Sequence, residues 1–435
     1  MSTAFTERLR REYAEALPAL PAGVATPQLR GAALEQAAAL GLPALREDAF
    51  RYASLRPLEK ARLVPAARPT EADEARAASR LPAAVAGFTR YVFVNGRFAP
   101  SLSAAAGDLP GGQFQARSHA PPAGGAAVFL LKPGAEERFA WLNDAFAVDT
   151  AALGIAGAAR VEVVFLEVPT ADGGAGYPRL EVRVAAGARL ELIERHLGSG
   201  GAHGLINGSV QLELAADAAA EHYRWQGCDA DATVLDTLLA TVGDRAHYTL
   251  SLISLGAAAA RSAQRIRLAG VEARASVNGM SLADAKCVID TSILVEHAGR
   301  ATRSEQLLRG IANDRSAISF NSRVEVAASA GGADSRQSLK GLIGGHGAEV
   351  NLRPQLEILT DEVSASHGAT TGALDENTLF YLLSRGLDPH TARQLLEWAF
   401  IEAVMSRIGD ASLRRQVELA TVKRLGNAAA LEAVQ

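Results

Sequence analysis

The amino-acid sequence predicts a mainly β chain with helical ends, its centre wound as a β-solenoid. Three observations carry that prediction. From about Val161 the apolar period becomes two, in LEVRV from Leu180, LELIE from Leu190, VQLEL from Val210 and YTLSLISL from Tyr248. No helical pattern interrupts these segments before residue 370, which argues against a parallel sheet with alternating helices. A small turn also recurs, a Gly or Asp followed by an alanine and a new strand. Its alanines are Ala285, Ala301, Ala317, Ala333 and Ala348, at intervals of 16, 16, 16 and 15 residues. Ala246 and Ala273 carry it at wider spacing. A coil buries its inward residues only against its neighbours, so the turn must repeat in register, one strand segment per unit. An antiparallel sandwich with evenly spaced hairpins is the alternative, and the near-constant interval favours the solenoid.

Residues 1–150 read as a mostly helical domain with a loop-rich segment. Phe5, Leu9, Tyr13 and Leu17 recur at four-residue spacing, and alanine- and leucine-rich helices are expected over Pro27–Leu40, Ala72–Arg80 and Glu136–Phe146. The Gly-, Pro- and Ala-dense stretch Gly107–Gly125 reads as loop. Residues 151–372 form the solenoid core. Residues 373–435 turn helical again: Asp375 caps DENTLFYLLSR and Gly386 stops it, Asp388-Pro389 restarts a helix, and a last one spans Ser412–Leu425. Helices at both ends would cover the exposed edges of the terminal coils.

Composition removes several function classes. The formal net charge of -4 over 435 residues gives no global basic field for nucleic acid or an anionic membrane. Charges recur from Glu7 to Glu15, leaving no apolar run for a secretory signal, and no segment is long and apolar enough to span a bilayer. Cys228 and Cys287 are the only cysteines. They read as buried small apolar residues in a reducing, cytoplasmic compartment rather than a disulfide framework or a self-contained cluster site. The glycine-rich GLIGGHGA from Gly341 lacks the lysine of a phosphate-binding loop, so the chain is expected to bind no ATP itself. A helix–turn–helix reading of Thr378–Phe400 fails on Glu397 and Glu402, which sit where a basic recognition helix is needed.

The segment PQLEILTDEVSASHGATTGALDENTLFYLLSRGL, from Pro354, resembles the C-terminal signature of the SufB/SufD family of iron–sulfur cluster assembly proteins. LVEHAGRATRSEQLLRGI (Leu294–Ile311) is similar to a solenoid motif of that family. GLPALREDAFRYASL (Gly41–Leu55) resembles an N-terminal element of its SufD branch, with Phe50 in place of a tryptophan. The resemblance implies a right-handed parallel β-helix flanked by helical domains. It further implies a non-catalytic scaffold that pairs with a SufB-like paralogue and binds a SufC-like ABC ATPase through its C-terminal helices. Nascent clusters would form at the SufB–SufD interface. In isolation, a homodimer through the same surface is the other option.

His367, in Ser366-His367-Gly368, is the residue singled out as a site. A lone histidine beside glycine is ordinarily a hydrogen-bonded turn residue, yet a neutral imidazole is also a competent iron ligand. The resemblance implies the second role: His367 would hold iron or a transient iron–sulfur cluster shared with the partner subunit. Many family members carry a cysteine two positions upstream, where this chain has Ala365, so no thiolate comes from that point. Phe380, Tyr381, Arg385, Arg393, Trp398 and Phe400 combine the residue types of interface cores and form the candidate ATPase-docking set. His196 and His203 flank the glycine-rich LGSGGA and read as surface loop, whereas His222 and His297 read as hydrogen-bonded strand residues. Two other functions compete. A β-helix lyase or hydrolase of acidic polysaccharides would need paired carboxylates, which Asp290, Glu296 and Glu305 do not suggest. A purely structural assembly protein would show no metal dependence.

Overall fold

A computed structural model describes residues 3–44, 47–105, 109–118, 131–199, 201 and 204–426. Its centre is a two-sheet β-solenoid, one sheet of ten strands and one of nine, in which consecutive strands of the chain alternate between the sheets. From Ala151–Ile155 onward every pairing in the core toward the C-terminal end is parallel. In the ten-stranded sheet, Leu192, His222, Leu250, Val277, Gln306, Gln337 and His367 stand in one column. They are 27 to 31 residues apart, the length of one full coil. The alanine interval of about 16 is therefore half a coil, because each coil has two strands rather than one.

The turns explain why small residues recur. Gly187, Asp217, Arg245, Glu272, Ala301 and Gly332 all adopt positive φ, between 51° and 79°. Each donates its backbone N–H to a carbonyl of the next coil, at Ala216, Asp244, Val271, Arg300, Gly331 and Glu362, over 2.7 to 3.0 Å. A left-handed non-glycine residue costs about 1 kcal/mol or more, and the hydrogen bond to the neighbouring coil offsets it. Ala285 and Ala301 occupy such turns, whereas Ala317 and Ala333 open strands and Ala348 precedes one. The shared requirement is close approach of stacked backbones, not one turn conformation.

Among the described residues four α-helices precede the core: α1 (Thr3–Ala16), α2 (Pro27–Leu40), α3 (Glu71–Arg80) and α4 (Phe139–Phe146). Phe5, Leu9 and Tyr13 of α1 are buried, and α1, α2 and α4 share one apolar cluster with Leu205 and Leu235 on the outer face of the nine-stranded sheet. Phe50 anchors this domain. Its ring lies edge-on to Phe139, 6.1 Å between centroids, and beneath the guanidinium of Arg261, 3.9 Å away. The sheet reaches further back than residue 151, since Thr89–Val94 pairs in parallel with Ala158–Glu167. Gly112–Ala116, expected as loop, is a strand antiparallel to Ala151–Ile155. The remainder of that expected loop lies largely outside the described residues.

After the core come α5 (Glu376–Ser384), α6 (Pro389–Met405) and α7 (Ala411–Leu425). Asp375 and Asp388 cap α5 and α6 as the sequence predicts, and Gly386 closes α5 at φ 91°. These helices do not cover the last coil. Ile401, Val404, Met405, Leu413 and Val417 pack against Ile253, Met280, Ile311 and Leu342, an apolar stripe on the outer face of the ten-stranded sheet. The expectation of covered edges thus fails at the C-terminal end, because the apolar partner for α6 and α7 lies on the side of the solenoid. Among the described residues no helix is long and apolar enough to cross a membrane.

His297 closes strand Val288–His297 and is 1% exposed. Its ring nitrogens lie 2.8 Å from Thr302 Oγ1 and from Ser304 Oγ. Burial lowers its pKa to about 4, so between pH 6.5 and 4 the unfolded chain binds a proton that the native chain refuses. Stability should accordingly fall by about 3 kcal/mol as pH drops through that window. Urea melts of wild type and His297→Gln at pH 7 and pH 4 should show this loss in the wild type and a smaller one in the variant.

Candidate functional site

The two ends of the solenoid differ. At the N-terminal end the sheets stop at short antiparallel strands, Arg97–Phe98 and Gly112–Ala116. At the other end they stop at two ten-residue strands, Glu349–Ile358 and Val363–Gly372, each paired on one side only. Val363–Gly372 reads VSASHGATTG and contains neither charge nor proline. A long, uncharged edge whose outer row of backbone donors and acceptors is unpaired among the described residues is a ready template for pairing with another strand.

His367 is exposed at the middle of this strand, in register with Gln337 of Ala333–Ile343. Val363 packs on the lumen core; by strand alternation Ala365 and His367 share that inward face. The imidazole therefore sits on the lumen side of the open end. Ala365 is half-buried on the same face.

The predicted docking residues divide into two groups. Phe380 (72% exposed) and Tyr381 (55% exposed) lie on α5, none of whose residues is buried, and Arg385 covers the Tyr381 ring at 5.1 Å. Arg393 is exposed on α6. Trp398 and Phe400 instead are half-buried against the solenoid, Phe400 facing the Arg309 guanidinium at 6.0 Å. The structure thus leaves four of the six on the surface.

Deep in the lumen lies a polar cluster that sequence reasoning missed. His196, expected on a surface loop, is buried on strand Arg189–Gly198, and His203 lies outside the described residues. The alternation Leu190, Leu192, Glu194, His196 was the available signal, since it continues one inward face right up to the glycines. The Glu194 carboxylate accepts from Arg224 Nε (2.8 Å) and Nη2 (2.9 Å), and lies 2.5 Å from His196 Nε2 and 2.9 Å from His222 Nε2. Arg224 Nη2 also donates to Asp236 at 2.8 Å, and His222 Nδ1 meets the Tyr248 hydroxyl at 2.9 Å. Burial opposes ionisation of Glu194, but the Arg224 charge and the two imidazoles outweigh it and hold the carboxyl well below its usual range. Burial lowers the pKa of His222 against the pull of Glu194, which favours the neutral ring. Glu194, His196 and Asp236 have ligand atoms within 4.8 Å of one another, a spacing that suits a metal ion. Arg224 already bridges the two carboxylates, so a divalent ion would have to displace it. The cysteines are buried as expected, and burial pushes the Cys287 thiol up to about 12 and the Cys228 thiol higher still.

The chain is thus a two-sheet parallel β-solenoid with helical ends and an exposed histidine on an unblunted terminal strand. Residues 168–400 match the family model described as SUF system FeS cluster assembly, SufBD core domain, and the chain belongs to that family. It is 28% identical over 398 residues to the iron–sulfur cluster assembly protein SufD of Escherichia coli K12, covering 88% of this chain and 89% of that one. It is 27% identical over 410 residues to an iron–sulfur cluster assembly SufBD family protein of Synechocystis, covering 88% of each. A SufD of Plasmodium berghei aligns over 243 residues at 24% identity, 55% of this chain and 18% of that protein.

Removing Arg224 would leave the buried Glu194 and the partly buried Asp236 with uncompensated charge. Arg224→Leu should lower stability by about 3–5 kcal/mol in urea melts at pH 7. An unchanged midpoint would show that the cluster is not held together by this ion pair.

Proposed function

We propose that this chain is the SufD-type scaffold subunit of an iron–sulfur cluster assembly complex, non-catalytic in itself and working in the cytoplasm. Its open end pairs with a SufB-like paralogue, and its C-terminal helices dock a SufC-like ABC ATPase. The observation that carries the reading is the uncharged ten-residue edge strand Val363–Gly372, which offers a full row of backbone hydrogen bonds to a partner strand. His367 lies in the middle of that edge, so a strand added alongside would bring partner ligands to its imidazole. With Ala365 beside it, sulfur ligands for the cargo cluster come from the partner or from sulfide. A second copy of this chain could use the same edge when the paralogue is absent.

The docking proposal rests on α5 and its C-cap, where Phe380, Tyr381 and Arg385 are exposed among the described residues. ATP-driven closure of two docked ATPase subunits would pull on the C-terminal helices. Because α6 and α7 are packed on the solenoid wall, that movement would be transmitted to the paired edges. The polysaccharide-enzyme alternative gains no support: Asp290, Glu296 and Glu305 are each paired with an arginine, Arg261, Arg265 and Arg407.

Co-purification with SufB- and SufC-like proteins tests this. Ser364→Lys/Ser366→Lys on the edge strand should weaken association with the SufB-like partner at least about tenfold, as charge blunts an edge, and spare the ATPase. Phe380→Ala/Tyr381→Ala should do the reverse. These point variants are preferable to deleting residues 373–435, which would uncover the apolar stripe beneath α6. A wild-type chain that elutes alone while the other two associate would defeat the assembly reading.

His367→Ala should form the complex normally and assemble little or no cluster, read as iron and sulfide per complex. Full cluster loading in that variant would remove His367 from the mechanism.

A further inference from the structure

We infer that Gln337 is a positioning residue for His367: it fixes the ring's tautomer and direction so that one ring nitrogen keeps its lone pair for the cargo iron. The inference deepens the reading of His367 given above and rests on it.

Gln337 is 4% exposed, on the inward face of Ala333–Ile343, one coil below His367. Its amide is not free to turn. Nε2 donates to the Ser322 carbonyl at 3.0 Å and to Ser322 Oγ at 2.8 Å, and the Ser322 hydroxyl in turn donates to Gln306 Oε1. With the nitrogen side committed across the lumen, Oε1 is left as a buried acceptor without a hydrogen-bond partner among the described residues. A buried acceptor in that state costs about 1–3 kcal/mol.

In the ten-stranded sheet Gln337 is paired with Gln306 on the coil below and with His367 on the terminal coil, and side chains stacked in a parallel sheet are about 4.8 Å apart. The Gln306 amide nitrogen makes no hydrogen bond to Gln337 Oε1, which leaves the His367 ring as the donor on the open side. In the facing sheet, the residue paired with Ser322 is Pro354, which brings no donor to the terminal coil. A rotation of the exposed imidazole toward the lumen lets its N–H meet Gln337 Oε1. A neutral imidazole that donates from one nitrogen presents a lone pair at the other, the arrangement that metal-binding histidines obtain from a carbonyl or carboxylate behind them. An amide oxygen suits this better than a carboxylate would. It orients the ring without the negative charge that favours imidazolium, which cannot ligate.

The test uses the full chain labelled with 15N-histidine, the His367 signal being assigned by its loss in His367→Ala. Above pH 8, wild type should show one dominant His367 tautomer. Gln337→Leu, which keeps the volume and removes the acceptor, should give the mixture of a free imidazole. Ser322→Ala, which removes one of the two acceptors that hold Nε2 and keeps the Ser322 carbonyl, should move the ratio less far in the same direction. Gln337→Glu keeps an acceptor and should retain the single tautomer. In the assembled complex, Gln337→Leu should weaken Co(II) binding about 10-fold or more. A tautomer ratio unchanged in both Gln337→Leu and Ser322→Ala would overturn the inference. If Gln337→Leu shifts the tautomer but His367→Ala leaves Co(II) uptake intact, the positioning stands and the iron reading of His367 falls.

Discussion

The structure depends on one constraint: a parallel solenoid satisfies each coil's backbone only with the next coil, so the ladder must end somewhere. Every strand leaves a row of N–H and C=O groups for its successor. The left-handed turns from Gly187 to Gly332 extend the same coupling outside the strands, each donating to the coil above. At the N-terminal end the ladder is blunted by short antiparallel strands. At the C-terminal end two ten-residue strands remain open, and Val363–Gly372 carries no charge to discourage pairing. On the proposed reading, the open end is the part of the chain that a second protein would complete.

The same geometry separates a sealed polar site from an open one. Glu194, His222, Arg224 and Asp236 lie inside the lumen, tied to one another by hydrogen bonds, with Arg224 bridging both carboxylates in the place a cation would take. That cluster belongs to stability. His367 lies several coils away in the same inward column as His222, but on the last coil, where solvent and a partner can reach it. One column of one sheet therefore holds both a sealed histidine and an exposed one, and distance from the open end distinguishes them.

Much of this was legible in the residues. The change of period at Val161 and the recurring turn alanines located the solenoid, and Asp375 and Asp388-Pro389 located the starts of the first two C-terminal helices, α5 and α6. The spacing of the alanines was visible, but whether 16 residues make a coil or half of one depends on which strands pair, and pairing is a tertiary fact. The edge coverage was misjudged because helix existence is local, whereas the stripe of Ile253, Met280, Ile311 and Leu342 that holds α6 and α7 is assembled from four coils. His196 was misplaced because the glycines after it masked the alternation before it. His367 was found through its resemblance to a family motif, since nothing in its neighbours' periodicity separates it from any other strand histidine.

The measurement that bears most directly on the central claim is amide hydrogen exchange across Val363–Gly372, in the chain alone and in complex with a SufB-like partner. The open edge predicts fast exchange at alternate amides of this strand in the free chain, and strong protection of those amides when the partner binds. The SufC-like ATPase alone should leave them unprotected. Equal exchange at these amides with and without the SufB-like partner, in a sample where the complex has formed, would contradict the account.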